Sequence, residues 1–164
     1  MIDQISIYTD AAWNHKDKMS YFKVGSLVID KNETEYRFAD MINIKEYKES
    51  RDIKTPLKDI AIFEMIAIIR SIRKARSMFN KNIRTVIYTD NLVIFEMLYG
   101  FAKGKLTTRQ KYNPFLKKIK QFMQSGNIEI RHIKAHVGVY GNEVANRLAQ
   151  YADKPKYQLK CKKL

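Results

Sequence analysis

Residues 5–10 read ISIYTD and residues 86–90 read VIYTD. Each is a run of β-branched and aromatic residues, the composition of a strand, and each closes on Tyr-Thr-Asp. Their surroundings do not match. The polar, turn-like AAWNHKDKMS follows the first, and LVIFEMLYGF (92–101), which reads as a helix, follows the second. The echo is therefore not an internal repeat. It marks two strands of one domain that each stop on a carboxylate.

Working outward, YFKVGSLVID (21–30) and TEYRFADMI (34–42) read as two more strands around a KNE turn. Connections this short favour hairpins, so the first three strands form an antiparallel meander. NIKEYKESRDIKTPLKD is charged and reads as irregular, with Pro56 near a helix start. From Ile60 to about Phe79, Ile62, Ile66, Ile69 and Ile72 fall at helical spacing while Arg70, Arg73, Lys74 and Arg76 take other positions. KNIRTVIYTD is a fourth strand. The helix after it ends at KGKL, with Gly104 as breaker. TTRQKYNPFLKKIKQFMQSG holds a further helix that ends near Gly126, NIEIRHI (127–133) is a fifth strand, and NEVANRLAQYA is a final helix beyond the loop AHVGVYG. The order is β-β-β-α-β-α-α-β-α. Helical crossovers force parallel pairing of the later strands. The expectation is an α/β fold: a mixed five-stranded sheet with helices on both faces, spanning residues 1–153, followed by a basic tail over 154–164.

Lys and Arg total 31 against 17 Asp and Glu in the 164 residues, a net charge of +14. Such a surface attracts polyanions, nucleic acid before an anionic membrane face; the plainer reading is a lysine-rich soluble surface. No apolar run approaches the roughly 20 residues needed to cross a bilayer. Cys161 is the only cysteine, which rules out an internal disulfide, and MIDQISIY lacks the features of a secretion signal. A cytoplasmic, monomeric protein is expected.

Open α/β sheets carry their sites at the carboxyl ends of strands. If the first and fourth strands are neighbours, Asp10 and Asp90 meet there, and two such carboxylates must share a proton or bind cations. Mg²⁺, which prefers oxygen ligands, suits them. The alternative is that each aspartate caps a turn or helix, Asp90 the helix from Asn91. Glu64 sits in IAIFEMIAII, where burying a lone carboxylate is costly. Either it lies solvated at the helix edge or it joins the two aspartates around a metal. His136, in a glycine-containing loop, is a candidate for proton transfer. Trp13, after the first aspartate, either stacks on a nucleotide or caps the core.

The ordered set TD, E, TDN and H-x-G-x-x-G-N-E-x-A-N-x-L-A, on this frame, resembles type 1 ribonuclease H from Ile5 to Ala152. The resemblance implies a D-E-D-D carboxylate set, with Asp10, Glu64 and Asp90 in its first three places and His136 as the loop histidine. The fourth place departs: GNEVANRLA carries Asn146 where the family has aspartate. AAWNHKDKM replaces the family's glycine-rich segment, LKDIAIF replaces its asparagine-rich approach to the glutamate, and KGKLTTRQK stands where some members carry a longer basic protrusion.

What the resemblance implies is an endonuclease. It would hydrolyse the RNA strand of an RNA/DNA hybrid with two Mg²⁺ ions, Mn²⁺ being a possible substitute, and leave 5′-phosphate and 3′-hydroxyl ends. Asp10 would bridge both ions, Glu64 and Asp90 would flank one, and Asn146 would offer the other a neutral carbonyl oxygen, with attenuated cleavage. Glu143, three residues before Asn146 and on the same helix face, would partly compensate. Asn14, Asn91, Arg73, Lys74 and Asn142 are candidates for nucleic-acid contact. The alternatives are a catalytically impaired hybrid-binding protein and another nuclease of the same fold, such as a transposase or junction resolvase. A third is a structural nucleic-acid-binding domain that needs no metal.

Overall fold

A computed structural model describes residues 3–13, 20–100 and 111–154. Among these residues, five strands and five helices follow one another as β1 (Gln4–Ala12), β2 (Tyr21–Ile29), β3 (Glu35–Asn43), α1 (Ile44–Ser50), α2 (Ile60–Met78), β4 (Arg84–Thr89), α3 (Leu92–Tyr99), α4 (Asn113–Gln124), β5 (Ile128–His132) and α5 (Tyr140–Gln150). They build one mixed sheet in the order β3-β2-β1-β4-β5. The meander β1-β2-β3 is antiparallel, and β1-β4 and β4-β5 are parallel. The expected α/β architecture is thus the observed one.

Adjacent residues of a strand point to opposite faces of the sheet. On β2, Gly25 lies against α5, and a Cβ there would come under 3.0 Å from the backbone of Ala145 and Ala149. Its neighbour Ser26 turns the other way and shares a hydrogen bond of 2.5 Å with Ser71 of α2. Helices therefore cover both faces. Gly141 repeats the close approach from the helix side, because a Cβ on it would strike the ring of Tyr8. Two missing side chains, one on each partner, let α5 lie flat on β1 and β2.

The main core lies on the α2 face, where Phe22 and Phe63 stack at 4.3 Å among Ile5, Ile7, Ile62 and Ile66. The first half of α2 differs from a simple amphipathic helix. Every residue from Ala61 to Ile69 is buried, because β1, β2, α3 and α4 all pack against this helix. The basic residues fall in its second half: Arg73 and Lys74 are exposed, and Arg70 pairs with Asp40 at 2.7 Å. Trp13 packs edge-on against Phe63 at 5.3 Å, the core role rather than a stacking platform.

Two boundaries correct the sequence reading, those of α1 and α3, while the start of α2 agrees with it. The charged stretch after β3 is not wholly irregular: Ile44–Ser50 is helical, and the Asn43 side chain accepts from the Glu46 N–H at 3.0 Å. The main helix begins at Ile60 and is capped by Asp59, which also accepts from Tyr112 and pairs with Lys111; Pro56 lies before it. Helix α3 stops at Gly100, whose φ of 74° is left-handed, and not at Gly104, which lies outside the described residues. At the far margin of the sheet, the Tyr99 hydroxyl accepts from the Ile130 N–H at 3.1 Å and donates to its carbonyl at 2.8 Å.

Candidate metal centre

The parallel ladder of β1 and β4 runs Ile7 beside Ile87 and Tyr8 beside Tyr88, and stops there. Both strands then continue Thr-Asp. The duplicated motif is thus two halves of one register, with Asp10 and Asp90 each two residues past the last paired position. The tyrosines stack at 4.6 Å with their rings 12° apart. β1 keeps its pairing with β2 as far as Ala12, so Asp10 is held by one neighbour while the gap on its β4 side opens. This is the point where the sheet changes from antiparallel to parallel neighbours.

Glu64 reaches that gap from α2. One ligand oxygen from each of Asp10, Glu64 and Asp90 lies within 4.8 Å of the others, and among the described residues these form the one acidic group of this kind. Asp10 and Glu64 are 5% and 6% exposed. Glu64 Oε2 is buried with no hydrogen-bond partner. Burial, reinforced by the charges of Asp10 and Asp90, pushes the Glu64 carboxyl well above the ordinary 4.5. Burial also raises Asp10 above 3.8, and Asp90 adds to it; bonds from the Ala11 N–H and Asn146 act against that rise. Three oxygen donors that repel one another, one of them with an orphaned oxygen, fit a hard divalent cation.

These shifts carry a stability consequence in metal-free protein. A raised carboxyl contributes stability that is complete below its ordinary value and is lost as pH climbs through the folded value. The contribution of Glu64 therefore falls from pH 4.5 upward. Glu64→Gln is expected to remove that slope and to stabilise the EDTA-treated protein at neutral pH by about 1–3 kcal/mol, the scale of an unsatisfied buried polar group. Thermal unfolding from pH 4 to 8 checks this; a variant no more stable than the native chain at pH 8 would contradict it.

The remaining candidates divide. Asn146 lies in the site, with its amide nitrogen donating to Asp10 Oδ2 at 2.8 Å. His136 is exposed in the loop between β5 and α5, with a left-handed φ of 57°. Thr89 pairs with His132, which sets that loop at the same end of the sheet as Asp90. Asn142, expected as a nucleic-acid contact, lies inside the protein. It is 4% exposed, and its amide nitrogen donates to Asp90 Oδ2 at 3.3 Å. Sequence reasoning missed that partnership; the i, i+4 spacing from Asn146 was its only trace. Asn91 caps α3 by accepting from the Ile94 N–H at 3.1 Å. Arg73 and Lys74 lie two to three turns beyond Glu64 along α2, Lys74 over the Phe38 ring at 5.2 Å. Glu143 is not part of the acidic group. Asn14 and most of KGKLTTRQK fall outside the described residues.

The sheet order and the acidic switch point define the ribonuclease H-like class of α/β fold. The RNase H family model matches residues 3–154, and this chain belongs to that family; it is a ribonuclease H. Comparison with curated proteins finds no match. Among solved structures, RNase H1 from the archaeon Halobacterium salinarum NRC-1 is 14% identical, with a TM-score of 0.67 over 91% of this chain and 96% of its own. LC11-RNase H1, isolated from compost by a metagenomic approach, is 17% identical, with a TM-score of 0.62 over 92% of this chain and 99% of its own. A second structure of LC11-RNase H1, in complex with RNA/DNA hybrid, is 16% identical with a TM-score of 0.62 over 90% and 98%. At these identities the likeness is one of fold.

Proposed function

We propose that this chain hydrolyses the RNA strand of RNA/DNA hybrids, leaving 5′-phosphate and 3′-hydroxyl ends, with Mg²⁺ as the working cation and Mn²⁺ as a substitute. The observation that carries the proposal is the convergence of Asp10, Glu64 and Asp90 within 4.8 Å at the sheet's switch point. Family membership and the hybrid bound by LC11-RNase H1 supply the substrate class.

Divalent cations held by Asp10, Glu64 and Asp90 would supply a more acidic attacking water and charge neutralisation at the leaving oxygen, the chemistry of a two-ion arrangement. The chain's part is to hold them. Asp10, Glu64 and Asp90 would hold them together. A neutral amide at position 146 attracts a cation less than a carboxylate, so cleavage is attenuated. His136, exposed in the loop at the same end of the sheet as Asp90, moves a proton at the reacting phosphate. Asn14, Asn91, Arg73 and Lys74 are the proposed contacts to the hybrid. Lysine and arginine on phosphates give salt-sensitive affinity, and the RNA strand is told from DNA by its 2′-hydroxyls and helix shape.

The test is cleavage of an end-labelled hybrid, beside double-stranded DNA and double-stranded RNA, by the native chain and Asn146→Asp in Mg²⁺ and Mn²⁺. The expected result is cutting of the hybrid's RNA strand alone, slow in the native chain and about 10-fold or more faster in Asn146→Asp, within the range for altering a group that supports a metal centre. Silence from the native chain with cutting by Asn146→Asp would favour the second reading, a hybrid-binding protein disarmed at one residue. Silence from both would remove the hydrolase.

A further inference from the structure

Asn142 and Asn146 lie four residues apart on α5, and so on one face of it, one turn apart. Each sends its amide nitrogen to one of the two duplicated aspartates: Asn142 to Asp90 at 3.3 Å and Asn146 to Asp10 at 2.8 Å. An ionised carboxylate only accepts hydrogen bonds, so the atom that each asparagine must present is its –NH₂. Glu64, in contrast, leaves Oε2 with no donor. Helix α5 is held flat on the sheet by the Gly25 and Gly141 contacts, which fixes the height of both amides over the strand ends.

We infer that Asn142 and Asn146 are a matched pair of positioning residues, one donor per aspartate, and that Asn146 acts toward Asp10 as a hydrogen-bond donor in place of a fourth metal ligand. This rests on the reading of the acidic group as a divalent-cation centre. The amide that faces Asp10 cannot at the same time offer its oxygen there. To ligate a cation beside Asp10 the side chain must turn over and give up the 2.8 Å bond. The free chain therefore holds one divalent cation tightly, on Asp10, Glu64 and Asp90, and a second only weakly. Both donors align the oxygens of the first site before any cation arrives.

The experiment counts Mn²⁺ bound to the full chain by calorimetry and by the paramagnetic signal of free Mn²⁺, alongside thermal unfolding in EDTA. The native chain is expected to bind one ion tightly. Asn146→Ala and Asn142→Ala should keep that single tight ion with affinity about 10-fold weaker, as for other residues that orient a ligand. Asn146→Asp should gain a second tight ion. In EDTA it should melt below the native chain, because a fourth like charge replaces a donor; added Mn²⁺ should reverse that order. Packing loss alone would not change the ion count or make stability depend on Mn²⁺ in this way. Two ions of similar affinity in the native chain, with Asn146→Ala falling to one, would make Asn146 a ligand and overturn the inference while leaving the metal centre intact. Equal count and affinity in native chain and both alanine variants would overturn it too. No Mn²⁺ bound by folded native chain or by Asn146→Asp would overturn the metal centre itself.

Discussion

Asp10→Asn is expected to cut the rate of hybrid cleavage by about 10³-fold, roughly 4 kcal/mol of transition-state stabilisation, while the protein stays folded. Asp10 stands where β1 has lost β4 but kept β2, is 5% exposed, and touches both the Asn146 amide and the Ala11 N–H. Its carboxylate lies within 4.8 Å of ligand oxygens of both Glu64 and Asp90. Replacing it with an amide keeps the shape and an oxygen acceptor and removes only charge. Because burial and Asp90 already disfavour that charge, the variant should unfold in EDTA at or above the native temperature at pH 8. The measurement is single-turnover cleavage of a labelled hybrid beside a melting curve. Cleavage within tenfold of the native rate would remove Asp10 from the centre. Collapse of the melting curve would show that its role is to hold the fold.

Gly25→Ala acts through the opposite route. A methyl group there meets the carbonyl of Ala145, the nitrogen of Ala149 and the Cβ of Leu148, all under 3.0 Å. Two of these are helix backbone and cannot swing aside, so α5 must lift from β2. Overpacking of this kind costs about 3 kcal/mol, or roughly 6–12 °C in Tm for a domain of this size. The same displacement carries Asn142 and Asn146 away from Asp90 and Asp10, so cleavage should fall even at temperatures where the variant remains folded. Differential scanning calorimetry and a cleavage assay at 20 °C read the two effects separately. A variant with native Tm would mean that α5 does not seat on Gly25 as described.

The sheet and most of its centre were legible because they rest on local rules. Strand composition, hairpin lengths and helical crossovers fix the order of elements, and the repeated Tyr-Thr-Asp turns out to be the β1-β4 register itself. The Glu64 carboxylate stood out because its neighbours are apolar. What was not legible depends on tertiary packing. Nothing local says that α3 and α4 would pack against α2 as well as the sheet, which is why a stripe of isoleucines became a helix buried at every position from Ala61 to Ile69. The short α1 was hidden by its charge, although Asn43 and Glu46 carry the spacing of a helix start. Gly100 and Gly104 are both breakers by composition, and only the chain's path chooses between them. Asn142 read as a nucleic-acid contact; its burial and its bond to Asp90 depend on how α5 packs, which no local pattern shows.

The Tyr99 hydroxyl has a consequence for how these molecules behave in a crowd. β5 is a terminal strand, and such strands invite a foreign chain to add on, the first step toward aggregation. At Ile130 that invitation is withdrawn, because one phenol both donates and accepts and so occupies the two groups an incoming strand would need. A lone oxygen at the end of α3 thus serves as a gatekeeper against intermolecular templating.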